Sequence, residues 1–94
     1  MKHTDAASQQ AETLALRAVA FLAGDDDRVS TFMAVSGIGL DALRQSINDK
    51  AMLAGILDYI LANESLLVEF ASFAETTPEA AMRARAALPG FEHL

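Results

Sequence analysis

The side chains with the clearest potential for chemistry are the consecutive carboxylates Asp25, Asp26 and Asp27. Carboxylate oxygens are the ligands that Ca²⁺ and Mg²⁺ prefer, so the triplet could hold a hard cation. A Ca²⁺ loop, however, spreads its ligands over about a dozen residues and closes on a glutamate, and that spacing is absent. The same residues suit a helix start, where one aspartate caps free N–H groups and further acids lie near the positive end of the dipole. We therefore interpret them as the beginning of a helix.

Other residue types that serve catalysis or metal binding do not cluster in the sequence. His3 and His93 lie near opposite ends of the chain, and there is no cysteine to join either of them in a metal site. No nucleophile motif, zinc motif or glycine-rich phosphate loop occurs. Asp58 beside Tyr59 could be a buried acid, but the helical wheel places Asp58 away from the apolar arc and favours a solvated carboxylate. We predict no catalytic residue, no metal site and no cofactor.

The segment Gly37-Ile38-Gly39 lies between two short predicted helices and resembles the turn of a helix-hairpin-helix motif, whose amides contact DNA phosphates. Such a turn needs lysine or arginine nearby, because phosphate binding gains from counterion release. Only Arg44 is close, and the net charge of −6 opposes contact with nucleic acids. We predict no nucleic-acid binding and keep a helix-hairpin-helix-like regulator as an alternative.

Four residues are candidates for a protein interface. Arg83 and Arg85, with Arg44 in the matching helix of the first half, form the only basic grouping and could clamp an anionic partner through their guanidinium groups. The alternative is surface pairing with some of the 13 acidic residues. Leu16 and Val68 are apolar residues on otherwise polar helix faces, and several such residues together would mark an interface. Single exposed apolar residues are also normal.

The composition predicts that helices position all of these side chains. Hydrophobic residues make up 52% of the 94-residue chain, alanine is abundant, and proline and glycine are scarce. Alanine is the strongest helix former, and no stretch alternates with the period of two that a strand requires. Polar residues divide the chain into six predicted helices, at about residues 5–23, 26–36, 40–47, 50–62, 64–75 and 78–88.

The predicted helix boundaries follow from capping residues. Gly24 ends the first helix, Asp49 and Asn63 can cap the fourth and fifth, and Thr77 followed by Pro78 is the sharpest start signal. Large aromatic residues at inward positions predict a common core. Its predicted members are Phe21, Phe32, Tyr59 and Phe70, and the residues Met33, Ile47 and Phe73 are also expected to face inward.

The second half of the chain also matches the first half when the two are aligned without a gap. Asp25 then coincides with Asn63 and Gly39 with Thr77, while the predicted core aromatics coincide in pairs. We infer a duplication of residues 11–47 and 49–85, that is, two pseudo-repeated three-helix units. Two copies are too few for a solenoid, so the halves should pack on each other as one orthogonal or closed bundle. We expect a single all-α domain over residues 1–94, with flexible tails at 1–5 and 89–94.

Several helix-packing stretches resemble an uncharacterised family of small, mainly alphaproteobacterial proteins, a domain of unknown function. The stretches are AVAFLA at 18–23, Ser36-Gly37 followed by Leu43-Arg44, LDYILA at 57–62 and RARAAL at 83–88. Where members of that family tend to have Asp-Pro, this chain has Gly39-Leu40, which weakens the cap of the third helix. The resemblance implies an all-helical fold and brings no active site.

These observations favour a small acidic protein-interaction module that binds a partner helix or itself, most simply as a homodimer. The alternatives are the nucleic-acid-binding regulator and, last, a small enzyme. No apolar run reaches the about 18 residues of a membrane span, so no membrane contact is expected. The polar first residues do not resemble a signal peptide, and the lack of cysteine fits a reducing compartment, so we expect a cytoplasmic location.

Overall fold

A computed structural model describes residues 6–88 of the chain. Within that range the protein is all-helical and contains no strand, as the composition predicts. Its six α-helices are α1 (Ala6–Ala23), α2 (Asp26–Ser36), α3 (Leu40–Gln45), α4 (Lys50–Leu61), α5 (Glu64–Phe73) and α6 (Pro78–Ala86). One turn of 3₁₀ helix, Ser46–Asn48, joins α3 to the segment before α4.

Four helices begin at the capping residues that the sequence predicts. A side-chain oxygen of each accepts hydrogen bonds from backbone N–H groups in the first helical turn; the four residues are Asp25, Asp49, Asn63 and Thr77. Asp25 accepts from the N–H groups of Asp27 and Arg28, at 2.8 and 3.2 Å. The triple aspartate is therefore a helix start. Gly39 begins α3 with no side-chain cap.

Two residues of the described range adopt a left-handed backbone, and both lie just after a helix. Gly37 has φ 77° and donates its N–H to the carbonyl of Met33, which closes the end of α2. Glu75 follows α5 with φ 56° and is the only non-glycine residue with positive φ between residues 6 and 88. Glycine tolerates this conformation, whereas a side chain makes it costly.

The core surrounds α1, which makes its most extensive contacts with α4 and α6. The face of α1 toward these helices includes Ala11, Ala15 and Ala18, which are almost completely buried. Small side chains there allow the helix axes to approach closely. Larger residues from the other helices fill the remaining interior, chiefly Phe32, Leu43, Leu53, Ile56, Leu57, Ile60 and Phe70.

Three of the four predicted core aromatics, Phe21, Phe32 and Phe70, are buried, and Tyr59 is partly buried. They form two pairs. The rings of Phe21 and Phe70 lie 5.5 Å apart, and those of Phe32 and Tyr59 meet edge to face at 4.8 Å. Each pair joins one half of the chain to the other.

Ile47 is not a core residue, contrary to the prediction, because it is 52% exposed. The predicted third helix continues through it, whereas α3 ends at Gln45 and passes into the 3₁₀ turn. In a 3₁₀ helix, side chains three residues apart eclipse each other. Ser46 therefore comes under Leu43, to whose carbonyl its hydroxyl donates a hydrogen bond, and Ile47 turns outward.

Met33 and Phe73 are also more exposed than predicted. The only extensive contact of α2 is with α1, so a narrow stripe of α2 is covered and Phe32 is its only buried residue. Phe73 is the last residue of α5 and 47% exposed, and its ring covers Phe21 from outside at 5.4 Å.

No described helix is long and apolar enough to cross a membrane by itself. Together α4 and α5 reach that length and composition, but they are bent by 115° at the break that Asn63 caps. His3, His93 and the predicted flexible tails all lie outside the described residues.

Candidate functional site

An open groove with a volume of about 680 Å³ lies between α1 and α6. The first three turns of α1 form one wall, α6 forms the other, and the α5–α6 connection closes one end. This size lies within the range of sites that bind ligands or side chains of partners.

The floor and lower walls of the groove are lined by small apolar side chains. These are Ala7, Ala11, Ala74, Ala80 and Ala84, with Leu14 as the one larger member. Glutamine and threonine residues add neutral polar groups, namely Gln9, Gln10, Thr13 and Thr76. A floor of alanines leaves room for another backbone to come close, because almost nothing projects from it.

Three charged residues line the groove: Arg17 on α1, Arg83 on α6 and Glu75 in the connection between α5 and α6. All three are exposed. None of them takes part in an ion pair or side-chain hydrogen bond within residues 6–88. The groove therefore carries two cations on facing walls and one anion at its end, and none of the three is paired with another described residue.

Arg85 is buried and does not face the groove, in contrast to the surface position expected for it. Its Nε atom donates to Asp58 Oδ1 at 2.6 Å, and its Nη1 atom donates to the carbonyl oxygen of Leu88 at 3.4 Å. Residues 83 and 85 are separated by about 200° around a helix, so they cannot share a face. Asp58 is likewise engaged in this ion pair, although its side chain remains 56% exposed.

Leu16 and Val68 are exposed, at 40% and 56%, but neither lines the groove. Leu16 follows Glu12 by one turn, and the Glu12 carboxylate pairs with Lys50 of α4 at 3.1 Å. Leu16 therefore lies on the flank of α1 that carries Glu12, about 100° around the helix from Arg17. The structure thus brings only Arg83, of the four predicted interface residues, into the groove.

Residues suited to catalysis do not converge in the described part of the chain. It contains no group of three or more histidine, aspartate or glutamate residues that could hold a metal ion. A second, smaller hollow of about 160 Å³ lies beside Tyr59 and is also lined by Asp27 and Arg28. The Arg28 side chain there is already engaged, because it donates to the carbonyl of Phe21 and lies over the Phe21 ring, 4.0 Å from its centroid.

No pattern in the sequence singles out Arg17 or Glu75 as a site residue. Arg17 belongs to an ordinary polar helix face, and Glu75 lies at the end of a predicted helix. The one relevant signal is the match between the halves, which aligns Glu75 with Gly37 and so indicates a left-handed residue.

Residues 8–91 match a family model described as "Protein of unknown function (DUF3572)". The chain belongs to this family. The DUF3572 match includes Arg17, Glu75 and Arg83, so it spans the charged residues of the groove. It agrees with the uncharacterised domain family expected from the helix-packing stretches. No curated protein and no solved structure matches the chain.

Proposed function

We propose that this DUF3572 protein is a non-catalytic protein-interaction module whose groove between α1 and α6 receives a helix of a partner protein. The observation that carries the proposal is the open groove of about 680 Å³ with its floor of alanines. Grooves between helices accept the apolar face of an amphipathic helix. Packed helix axes lie about 8–10 Å apart, and the shorter end of this range requires small side chains at the contact.

The charged residues of the groove favour binding over catalysis. Arginine is a permanent cation and cannot act as a general base, so Arg17 and Arg83 can bind anions but cannot accept a proton. Among residues 6–88, Glu75 is then the only acid–base candidate that lines the groove, with no histidine, cysteine or second acid in its lining. A small enzyme and a nucleic-acid-binding regulator therefore remain the less favoured alternatives.

We also propose that the two halves are pseudo-repeats related by a twofold exchange. The alignment that places the cap Asp25 on the cap Asn63 also places the left-handed Gly37 on the left-handed Glu75. It exchanges the two aromatic pairs, since Phe21 corresponds to Tyr59 and Phe70 to Phe32. Packing of α1 on α2 and α3 has its counterpart in packing of α4 on α5 and α6.

The groove lies where the halves differ. The extensive contact of α6 with α1 has no equal between α3 and α4, and α3 is shorter than α6. Glutamate also replaces glycine at the left-handed position beside the groove. The divergence of the two proposed repeats at this one surface supports a function for the surface.

A second copy of the chain is the other candidate partner. It is favoured by the exposed large apolar side chains Leu16, Met33, Val35, Ile47, Val68, Phe73 and Met82. Dimers that share one patch across a twofold axis are the commonest assemblies. In this form of the proposal, Leu16 and Val68 belong to the shared patch and the groove stays free.

Capture from an extract of the source cells, followed by mass spectrometry, tests the groove with a matched pair of variants. Ala80→Phe fills the groove, whereas Ala86→Phe adds the same ring to an exposed position of α6 outside it. A partner retained by the wild type and by Ala86→Phe, but lost by Ala80→Phe, would support the proposal. Partners retained equally by all three proteins would contradict it. The proposed cytoplasmic location requires that this partner comes from the cytoplasmic fraction.

A further inference from the structure

We propose that the helix received by the groove is acidic and that its carboxylates pair with Arg17 and Arg83. This inference rests on the proposed function, since it names the chemistry of the occupant. Its basis is the state of the two guanidinium groups. They line one groove from facing helices, and neither has an ion-pair partner within residues 6–88.

The lack of pairing is informative because acids are plentiful. The chain has 13 acidic residues against seven basic ones, and three of the basic residues, Arg28, Lys50 and Arg85, do pair with acids of neighbouring helices. Both groove arginines instead line a groove whose other members are alanines, threonines, glutamines, Leu14 and one acid, Glu75. The fold therefore places two guanidinium groups beside an apolar floor, and Glu75 is the one acid among the described residues that line the groove.

The placement of the two arginines suits a helix lying along the groove. Its apolar face would rest on the alanine floor, and its two flanks would pass Arg17 on the α1 side and Arg83 on the α6 side. Guanidinium groups bind carboxylates through two parallel hydrogen bonds, which gives direction as well as attraction. The apolar floor favours such a helix over a nucleic acid, whose backbone gains nothing from alanine.

Glu75 sets the charge at the end of the groove. Its carboxylate would repel an acid placed there and attract a basic residue or the positive N-terminal end of a helix. The occupant is therefore expected to carry its acids away from the α5–α6 connection.

Two fluorescent peptides of about 18 residues, or five turns, provide the test. They share one stripe of leucine and alanine and differ only in their flanks, which are glutamate in one peptide and lysine in the other. Binding to the full chain is measured by fluorescence anisotropy. The net charge of −6 by itself predicts a preference for the lysine peptide, so tighter binding of the glutamate peptide can arise only from a local basic site.

Charge reversal of one arginine provides the matched comparison. Arg83→Glu should weaken binding of the glutamate peptide by about three- to tenfold and improve binding of the lysine peptide. Arg44→Glu makes the same change in net charge on α3, outside the groove, at an exposed arginine that is also unpaired within residues 6–88. Arg44→Glu should leave the preference for the glutamate peptide over the lysine peptide unchanged.

The outcomes separate the inference from the proposed function. If both peptides bind equally well and Ala80→Phe abolishes both, the groove binds helices but the inference about acidic partners is wrong. The inference is also overturned if Arg44→Glu acts like Arg83→Glu. If neither peptide binds, or if Ala80→Phe and Ala86→Phe act alike, the proposed function fails with it. The mass of the chain is also measured by sedimentation with and without the glutamate peptide. A dimer that the peptide converts to a monomer would identify a second copy as the occupant of the groove, and this result would also overturn the inference.

Discussion

Arg83 and Arg85 lie two residues apart on α6 and have opposite surroundings. Arg83 is exposed beside the groove, whereas Arg85 is only 8% exposed and joins α6 to α4 through Asp58. The stability of a buried charge depends on its partner, because the partner compensates for the hydration that the charge loses on burial. At the scale of single residues, one arginine therefore joins two helices and the other lines the groove.

The Asp58–Arg85 pair should respond asymmetrically to mutation. Asp58→Ala leaves a buried guanidinium without its carboxylate and should lower the free energy of unfolding by about 1–3 kcal/mol. Arg85→Met keeps most of the packing and leaves a carboxylate that water can reach, so its cost should be smaller. Urea denaturation measures both. Glu69→Ala is the control, because its exposed pair with Arg28 spans 3.9 Å and should contribute less than about 0.5 kcal/mol.

The left-handed residues allow a second prediction at this scale. Glu75→Gly should stabilise the protein by about 1 kcal/mol, since glycine avoids the penalty of the left-handed backbone. Gly37→Ala should cost a similar amount for the reverse reason. No atom lies within 4 Å of a Cβ placed at Gly37, so backbone strain alone accounts for that cost. Thermal melts that shift in the same direction for both variants would contradict this explanation.

At the scale of helices, local signals set where each element begins, and packing decides which face is covered. The caps Asp25, Asp49, Asn63 and Thr77 act within the first turn that follows them. How wide a stripe each helix buries depends on how many neighbours it has. The extensive contacts of α2 reach only α1 and it buries one residue, whereas α4 contacts α1, α5 and α6 and buries five.

The two phenylalanines of α5 provide the prediction for this scale. Phe70 is fully buried, so Phe70→Ala should lower the free energy of unfolding by about 3–5 kcal/mol through lost contacts and a cavity. Phe32→Ala should cost a similar amount. Phe73→Ala is the control on the same helix and should cost less, because nearly half of its surface is already exposed. Equal losses for Phe70→Ala and Phe73→Ala would show that burial is not the cause.

At the scale of the whole molecule, two aromatic pairs join the halves of the chain, and the groove lies at a helix contact that the proposed twofold exchange does not repeat. Phe21 with Phe70 and Phe32 with Tyr59 are contacts between the first and second halves. The packing of α6 on α1 belongs to one side only. The proposed pseudo-twofold relation would account for the core, and the departure from it would account for the candidate site.

The exchange of aromatic pairs predicts similar coupling energies in both. Double-mutant cycles with leucine substitutions should give about 0.5–1.5 kcal/mol for Phe21–Phe70 and for Phe32–Tyr59. The Phe32–Phe70 combination is the control, because these rings are not in contact with each other and should behave additively. Strong coupling in only one of the two pairs would count against the twofold relation.

The second-copy candidate predicts reversible dimerisation at tens of micromolar, measured by sedimentation equilibrium. Leu16→Glu combined with Val68→Glu should shift the mass to that of one chain, because the shared patch would then carry charge. Ala42→Glu combined with Ala86→Glu changes the net charge equally at exposed positions and should leave the dimer intact. A monomer in the wild type at these concentrations would exclude the second copy and leave a different protein as the partner.

The sequence by itself determined the six helices and most of their boundaries. It did so because capping and periodicity act between residues no more than about four positions apart, as at Asp25 and Thr77. Because these signals are local, the sequence could not determine features that depend on a single irregular turn or on distant contacts. The 3₁₀ helix that exposes Ile47 is only one turn long. The apolar pattern of the sequence does not indicate so short a departure from the α-helical period.

Only the tertiary structure decided which arginine is buried and where the groove lies. Arg83 and Arg85 have the same chemistry and nearly the same position in the chain, and the structure distinguishes them by placing Asp58 of α4 beside Arg85. The groove depends on the spacing of α1 and α6, which are the first and last helices of the described chain. Such a distance is set by the whole core at once, since alanines on α1 determine how closely every neighbouring helix can approach.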